Sequence, residues 1–159
     1  MSTFERDDYR WRETYFVSFE SARRPTTGQM AAALEELSAR YELVNLVGSE
    51  QGLFESVTVR SPSDHAALDI SYASGGDVIE ECRGLVDELL PLAADEEEAA
   101  RIRRLPELEG RFDVLHFEQV VADDEAGEML DPSALLIVID ALTQLTGGVG
   151  IDPQSGTLM

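Results

Sequence analysis

A chain of 159 residues has room for one domain with a genuine core, burying about 70% of its unfolded surface. Its 32 acidic residues against 12 basic ones give a net charge of −20, and every basic residue is arginine, which excludes Schiff-base chemistry, a P-loop lysine and any catalytic lysine. One cysteine excludes an internal disulfide and a cysteine-rich zinc site, and two histidines exclude a three-histidine metal centre.

In chain order, residues 1–13 read as an irregular, charged arm holding Tyr9 and Trp11. Residues 14–20 (TYFVSFE) are β-branched and aromatic with apolar residues on alternate positions, which predicts a strand. Arg23-Arg24-Pro25 ends it. Thr26 and Gln29 have the spacing of a capping box. Met30, Leu34, Leu37 and Tyr41 follow as one helical stripe. Residues 42–47 and 53–60 read as a hairpin around Gly48 and Gly52, and 67–73 as a third short strand. Ser74-Gly75-Gly76-Asp77 opens a second helix with the stripe Val78/Ile79, Cys82, Leu85/Val86, Leu89/Leu90, and Pro91 stops it.

Residues 95–105 form a surface helix with Glu96, Glu97 and Glu98 in its first turn and Arg101, Arg103 and Arg104 in its last, an order that suits the helix dipole. Glu97 and Arg101 are spaced as an i,i+4 ion pair. Residues 111–121 predict a long strand, apolar on both faces near its middle and therefore central. An acidic loop, 123–131, precedes a helix capped by Asp131 with Pro132 at its first position and ended by Gly147-Gly148. That last helix (Leu135, Leu136, Ile137, Val138, Ile139, Leu142, Leu145) is apolar around much of its girth. A final strand, 149–151, and a turn, 152–156, close the chain.

The order β-α-β-β-β-α-α-β-α-β lacks the regular alternation of a doubly wound sheet. It predicts an α+β fold, with an antiparallel or mixed sheet, helices packed mainly on one face and a ferredoxin-like start. Residues 14–159 read as a single domain, with 91–110 the one stretch able to divide it into subdomains. No positively charged, then apolar, leader is visible, and the longest apolar run, 134–139, falls far short of a membrane span. The expectation is a cytoplasmic protein.

The charge is uneven. Residues 1–60 hold 10 acidic groups and 7 arginines, a net of −3; residues 61–159 hold 22 and 5, a net of −17. Such a surface repels nucleic acid and anionic lipid, so neither is an expected partner. Cys82 sits on an apolar helix stripe and reads as an inert core thiol.

Asp69, His116 and Glu118, with Glu20 as a fourth, make a candidate catalytic arrangement. His116 and Glu118 share a face of the 111–121 strand, opposite the more apolar Leu115 and Phe117 that should meet the helices. Asp69 alternates in the same way with Leu68 and Ile70. If these strands are neighbours, Asp69, His116, Glu118 and Glu20 gather on a helix-free face, as a general-base pair or a weak divalent-metal site would require. A solvated polar face explains the same residues without function. The 123–128 loop fails the calcium pattern, since Gly127 at position 6 would put Ala122 at position 1 and Ser133 at position 12. No cofactor or metal is expected.

The leading functional expectation is a non-enzymatic protein–protein interaction module working as a homodimer, with Leu136, Val138 and Ile139 as interface candidates. A small hydrolase or metal-dependent enzyme using Asp69, His116 and Glu118 is the alternative. An immunity-type inhibitor of a basic partner is a third.

Overall fold

The alternating stretches of the sequence pair into one sheet in the computed structural model, which describes residues 9–62, 65–119 and 133–159. The elements run β1 (Tyr9–Phe19), α1 (Thr27–Glu35), β2 (Glu42–Gly48), β3 (Phe54–Ser61), β4 (Ala66–Ser74), α2 (Gly76–Leu89), α3 (Glu96–Arg103), β5 (Gly110–Gln119), α4 (Ser133–Thr146), β6 (Val149–Asp152) and β7 (Thr157–Leu158). Among the described residues, seven antiparallel strands form the sheet in the order β2-β3-β4-β5-β1-β6-β7. The protein is thus α+β, with β5 at the centre. No helix among the described residues is long and apolar enough to cross a membrane.

β1 begins at Tyr9, so 9–13 belongs to the sheet and not to an irregular arm. The charged residues there are held by the partner strand: Arg10 stands opposite Glu118 and Glu13 opposite His116, with a bulge between Trp11 and Glu13. The bulge re-aims the strand by one residue.

The expected helix-bearing face is corrected by the structure: helices cover both faces. Alternation along β1 sends Val17 and Phe19 to one side and Phe16 to the other. On the first side, Met30 and Leu34 of α1 and Leu135, Val138, Ile139 and Leu142 of α4 pack on Val57, Val59, Leu68, Ile70, Phe112 and Val114. On the second side, Val78, Cys82, Leu85 and Leu89 of α2 and Ile102 of α3 pack on Ile151, with Phe16, Ala73 and Val149 beside them. Leu105 and Leu108, within the 91–110 stretch, belong to this second cluster. The reason is the two-sided apolarity of β5 and β1, which supplies a floor for a second helical layer.

Phe19 and Phe112 centre the first cluster, with ring centroids 4.6 Å apart, and Phe54 meets Phe112 edge-on at 5.6 Å. Each buried ring contributes about 1.5–3 kcal/mol by area, and each ring pair about 0.5–1.5 kcal/mol more. α1 starts as its sequence requires: the Thr26 hydroxyl accepts from the Gln29 N–H at 3.1 Å, and the Gln29 side chain accepts from the Thr26 N–H at 2.9 Å. α4 ends at Gly147, whose φ of +66° suits glycine. A Cβ on Gly148 would stand 2.5 Å from the Ser18 carbonyl oxygen, so the turn into β6 can press against β1 only with glycine there. The sheet edge at β2 is irregular: Asn45 adopts φ 56°, and pairing with β3 shifts register between Val44 and Val47.

Candidate functional site

Strand parity decides the fate of the three candidate residues. In the β4–β5 ladder Asp69 stands opposite Leu115 and Leu68 opposite His116. Directly paired residues share a face, so Asp69 and His116 lie on opposite faces of the sheet. His116 and Glu118 do share a face, but it is the one carrying Phe112 and Val114, which α1 and α4 cover. The expected catalytic trio is therefore separated. Glu20 follows the end of β1 that pairs with Gly110, at the far end of β5 from His116.

His116 has a different acidic neighbour. Its ring is fully buried, and Nδ1 donates to Glu13 Oε1 at 3.1 Å. The same oxygen accepts from the Tyr15 hydroxyl at 3.2 Å. His116 Nε2 is buried without a hydrogen-bond partner among the described residues. Burial first, then the negative charges of Glu13 and Asp152, push the Tyr15 hydroxyl well above its ordinary pKa. Glu118 turns elsewhere, accepting from Arg10 Nε at 2.9 Å with Arg12 Nη1 3.7 Å away. Sequence reasoning missed Glu13 because it placed that residue in an arm; the Tyr9-Trp11 alternation was the available signal.

Asp69 lies on the half of the second face that α2 and α3 leave open. There Ser56, Thr58 and Ser71 surround it across paired strands, and Thr58 donates to Asp69 Oδ1 at 2.8 Å. Asn45 and Leu115 complete a shallow groove of about 270 Å³. It offers hydroxyls and one carboxylate, with His116 on the far side of the sheet. Its chemistry is hydrogen bonding to a polar surface, with Asp69 engaged by the Thr58 hydroxyl. Among the described residues no three His, Cys, Asp or Glu side chains gather as metal ligands would. His65 is exposed in a turn with φ 53°. The acidic loop 123–131, with Asp131 and Pro132, lies outside the described residues.

The interface candidates divide as well. Val138 is 0% and Ile139 2% exposed inside the chain's own core, whereas Leu136 is 50% exposed. The apolar girth of α4 is mostly consumed by the sheet beneath it. What it leaves outward is Leu136 and Ile137, with Met159 also exposed.

Two charged features stand on the second helical layer. Arg111, buried on β5, pairs with Glu81 of α2 and donates to Asp113 Oδ1 at 2.6 Å, its guanidinium 4.4 Å from the Phe16 ring centroid. Burial opposes its charge, and the two carboxylates more than compensate, so its pKa sits above the ordinary value. The outer side of α2 is the second. Asp77, Glu80, Glu81, Asp87 and Glu88 recur there at helical spacing around Gly84, all exposed.

The chain matches no protein-family model, no curated protein and no solved structure.

Proposed function

We propose that this chain is a non-enzymatic interaction module of the cytoplasm that binds a basic protein through the outer face of α2. The observation that supports this reading is the carboxylate stripe. Glu81 is neutralised by Arg111, but Asp77, Glu80, Asp87 and Glu88 have no cation within ion-pair reach among the described residues. A mainly acidic face, here with the exposed Arg83 at its edge, accelerates encounter with an opposite surface and makes binding salt-sensitive. An immunity-type inhibitor of a basic toxin or nucleic-acid-binding protein is the form this activity takes. The cytoplasm, where thiols stay reduced, suits the lone Cys82.

The test is capture by the tagged full chain from lysate of the source organism, at low and high salt. The expected result is a stoichiometric basic protein, lost at high salt and lost when Asp77, Glu80, Asp87 and Glu88 are changed together to their amides. Equal capture of that protein by the amide variant would overturn the proposal.

A second reading, a homodimer, rests on the outward Leu136, Ile137 and Met159. Leu136→Glu should convert a dimer to monomer in sedimentation without loss of folding. Val138→Glu should instead unfold the chain, because Val138 belongs to the core. A wild-type chain that sediments as monomer at micromolar concentration removes this reading. We also read β1-α1-β2 as a widened ferredoxin-like split β-α-β unit, supported by β1 and β2 running in the same direction with β3, β4 and β5 between them.

A further inference from the structure

The last turn of α3 departs from its expected pairing. Arg103 donates to Glu96 Oε1 at 2.9 Å, but Glu97 makes no pair with Arg101 among the described residues. Arg101 and Arg104, three residues apart and so on one side of the helix, face the turn that follows α4. With Leu108, Gly147, Gly148 and Val149 they line a cavity of about 200 Å³. Arg101 has no acidic partner among the described residues. Among the described residues Arg104 reaches Glu107 alone, at 3.8 Å with both side chains well exposed, a contact of little strength. The guanidinium of Arg23 lies against Gly147, placing a third arginine beside the same turn. On a chain of net charge −20, the exposed contact with Glu107 is the one acidic pairing these arginines make among the described residues. Helix-dipole complementarity explains arginines in the last turn of α3, but not their meeting across a concavity with a loop from another element.

We propose that this cavity is a binding site for the phosphoryl group of a small ligand. Two planar forks approaching from different positions match a tetrahedral dianion, whereas a carboxylate is filled by one fork. Leu108 and Val149 give the cavity an apolar wall against which a short organic part can lie. Its volume admits a phosphate with a few attached atoms. The surrounding negative charge repels a polyanion, so a nucleic-acid backbone is not the ligand. The site stands independently of the α2 reading, since it uses cations and a different set of residues.

The test is titration of the isotope-labelled full chain, at low ionic strength, with inorganic phosphate and separately with glycerol 3-phosphate. Saturable amide shifts at Leu108, Gly147, Gly148 and Val149 are expected. Arg101→Gln with Arg104→Gln should weaken binding by at least about tenfold, while Arg83→Gln, on exposed α2, should leave it unchanged. Tighter binding of the ester identifies an organic phosphate as the ligand, and equal binding identifies phosphate itself; both support the site. Linear, non-saturating shifts, or saturation that survives in the folded double variant, would overturn it.

Discussion

Arg111 ties the second helical layer to the sheet, and its truncation measures how firmly. Its side chain is 7% exposed, while Asp113 is 28% and Glu81 56% exposed. Arg111→Ala removes two buried methylenes, about 1.6 kcal/mol by area, and the stacking of the cation on Phe16, about 1 kcal/mol. It also leaves Asp113 without its cation, at a cost of about 1 kcal/mol because water still reaches that carboxylate. Glu81 can swing into solvent at little cost. The expected loss is about 3–4 kcal/mol, at the lower end for a broken buried pair because both acids are part-exposed. Arg111→Met keeps the apolar stem and should cost about 1–2 kcal/mol. Urea unfolding followed by far-ultraviolet circular dichroism resolves the two, since at a slope of about 2 kcal/mol per molar the alanine variant shifts its midpoint by about 1.5–2 M. A loss below about 1 kcal/mol for alanine, or equal losses for alanine and methionine, would refute the assignment of the cost to stem packing and to stranded charge.

Tyr15 gives a pH dependence. Burial, then the negative charges of Glu13 and Asp152, hold its pKa above the ordinary 10.0, so the folded chain keeps a proton that the unfolded chain releases. Its contribution to stability is full below pH 10 and falls as pH rises beyond it; Tyr15→Phe should flatten that alkaline decline while costing about 1 kcal/mol at neutral pH. An equally steep decline in the variant, measured by denaturant unfolding across the pH series, would contradict this. Cys82 is fully buried, and burial pushes its thiol pKa up. Its labelling by a thiol reagent should be slower in the native protein than in urea by on the order of a thousandfold or more, and rapid native labelling would show the α2 layer to be open.

The elements with one buried face were legible in the sequence. Thr26 and Gln29 announced α1, and the Val78-Cys82-Leu85-Leu89 stripe announced α2, because an amphipathic period states both the element and its inner side. Residues buried on two sides were not. In β5 both His116 and Phe117 are fully buried, so alternation could not say that helices lie on both sides, and the His116 face reads as helix-free although α1 and α4 cover it. That reading placed His116 with Asp69 instead of Glu13. α4 misled in a related way. Its girth suggested surplus apolar surface, yet a wide sheet absorbs Leu135, Val138, Ile139 and Leu142 together, and sequence alone does not give the width of the sheet. Arg10 and Glu13 were missed because charged residues at a strand end are intelligible only once their partners on β5 are known.

Among the described residues the outer strands of the sheet are β2 and β7, and the part of β1 before Phe16 pairs on one side alone; unpaired edges recruit strands from other molecules. β7 is two residues long and offers little to copy. β2 is seven residues long and exposes Leu46 and Val47, the raw material of a cross-β stack. Asn45, turned into the left-handed region between Val44 and Val47, breaks the run of evenly spaced amide and carbonyl groups that an incoming strand would need. That kink makes the β2 edge a poorer template for a second strand, an effect that salt does not screen as it screens net charge.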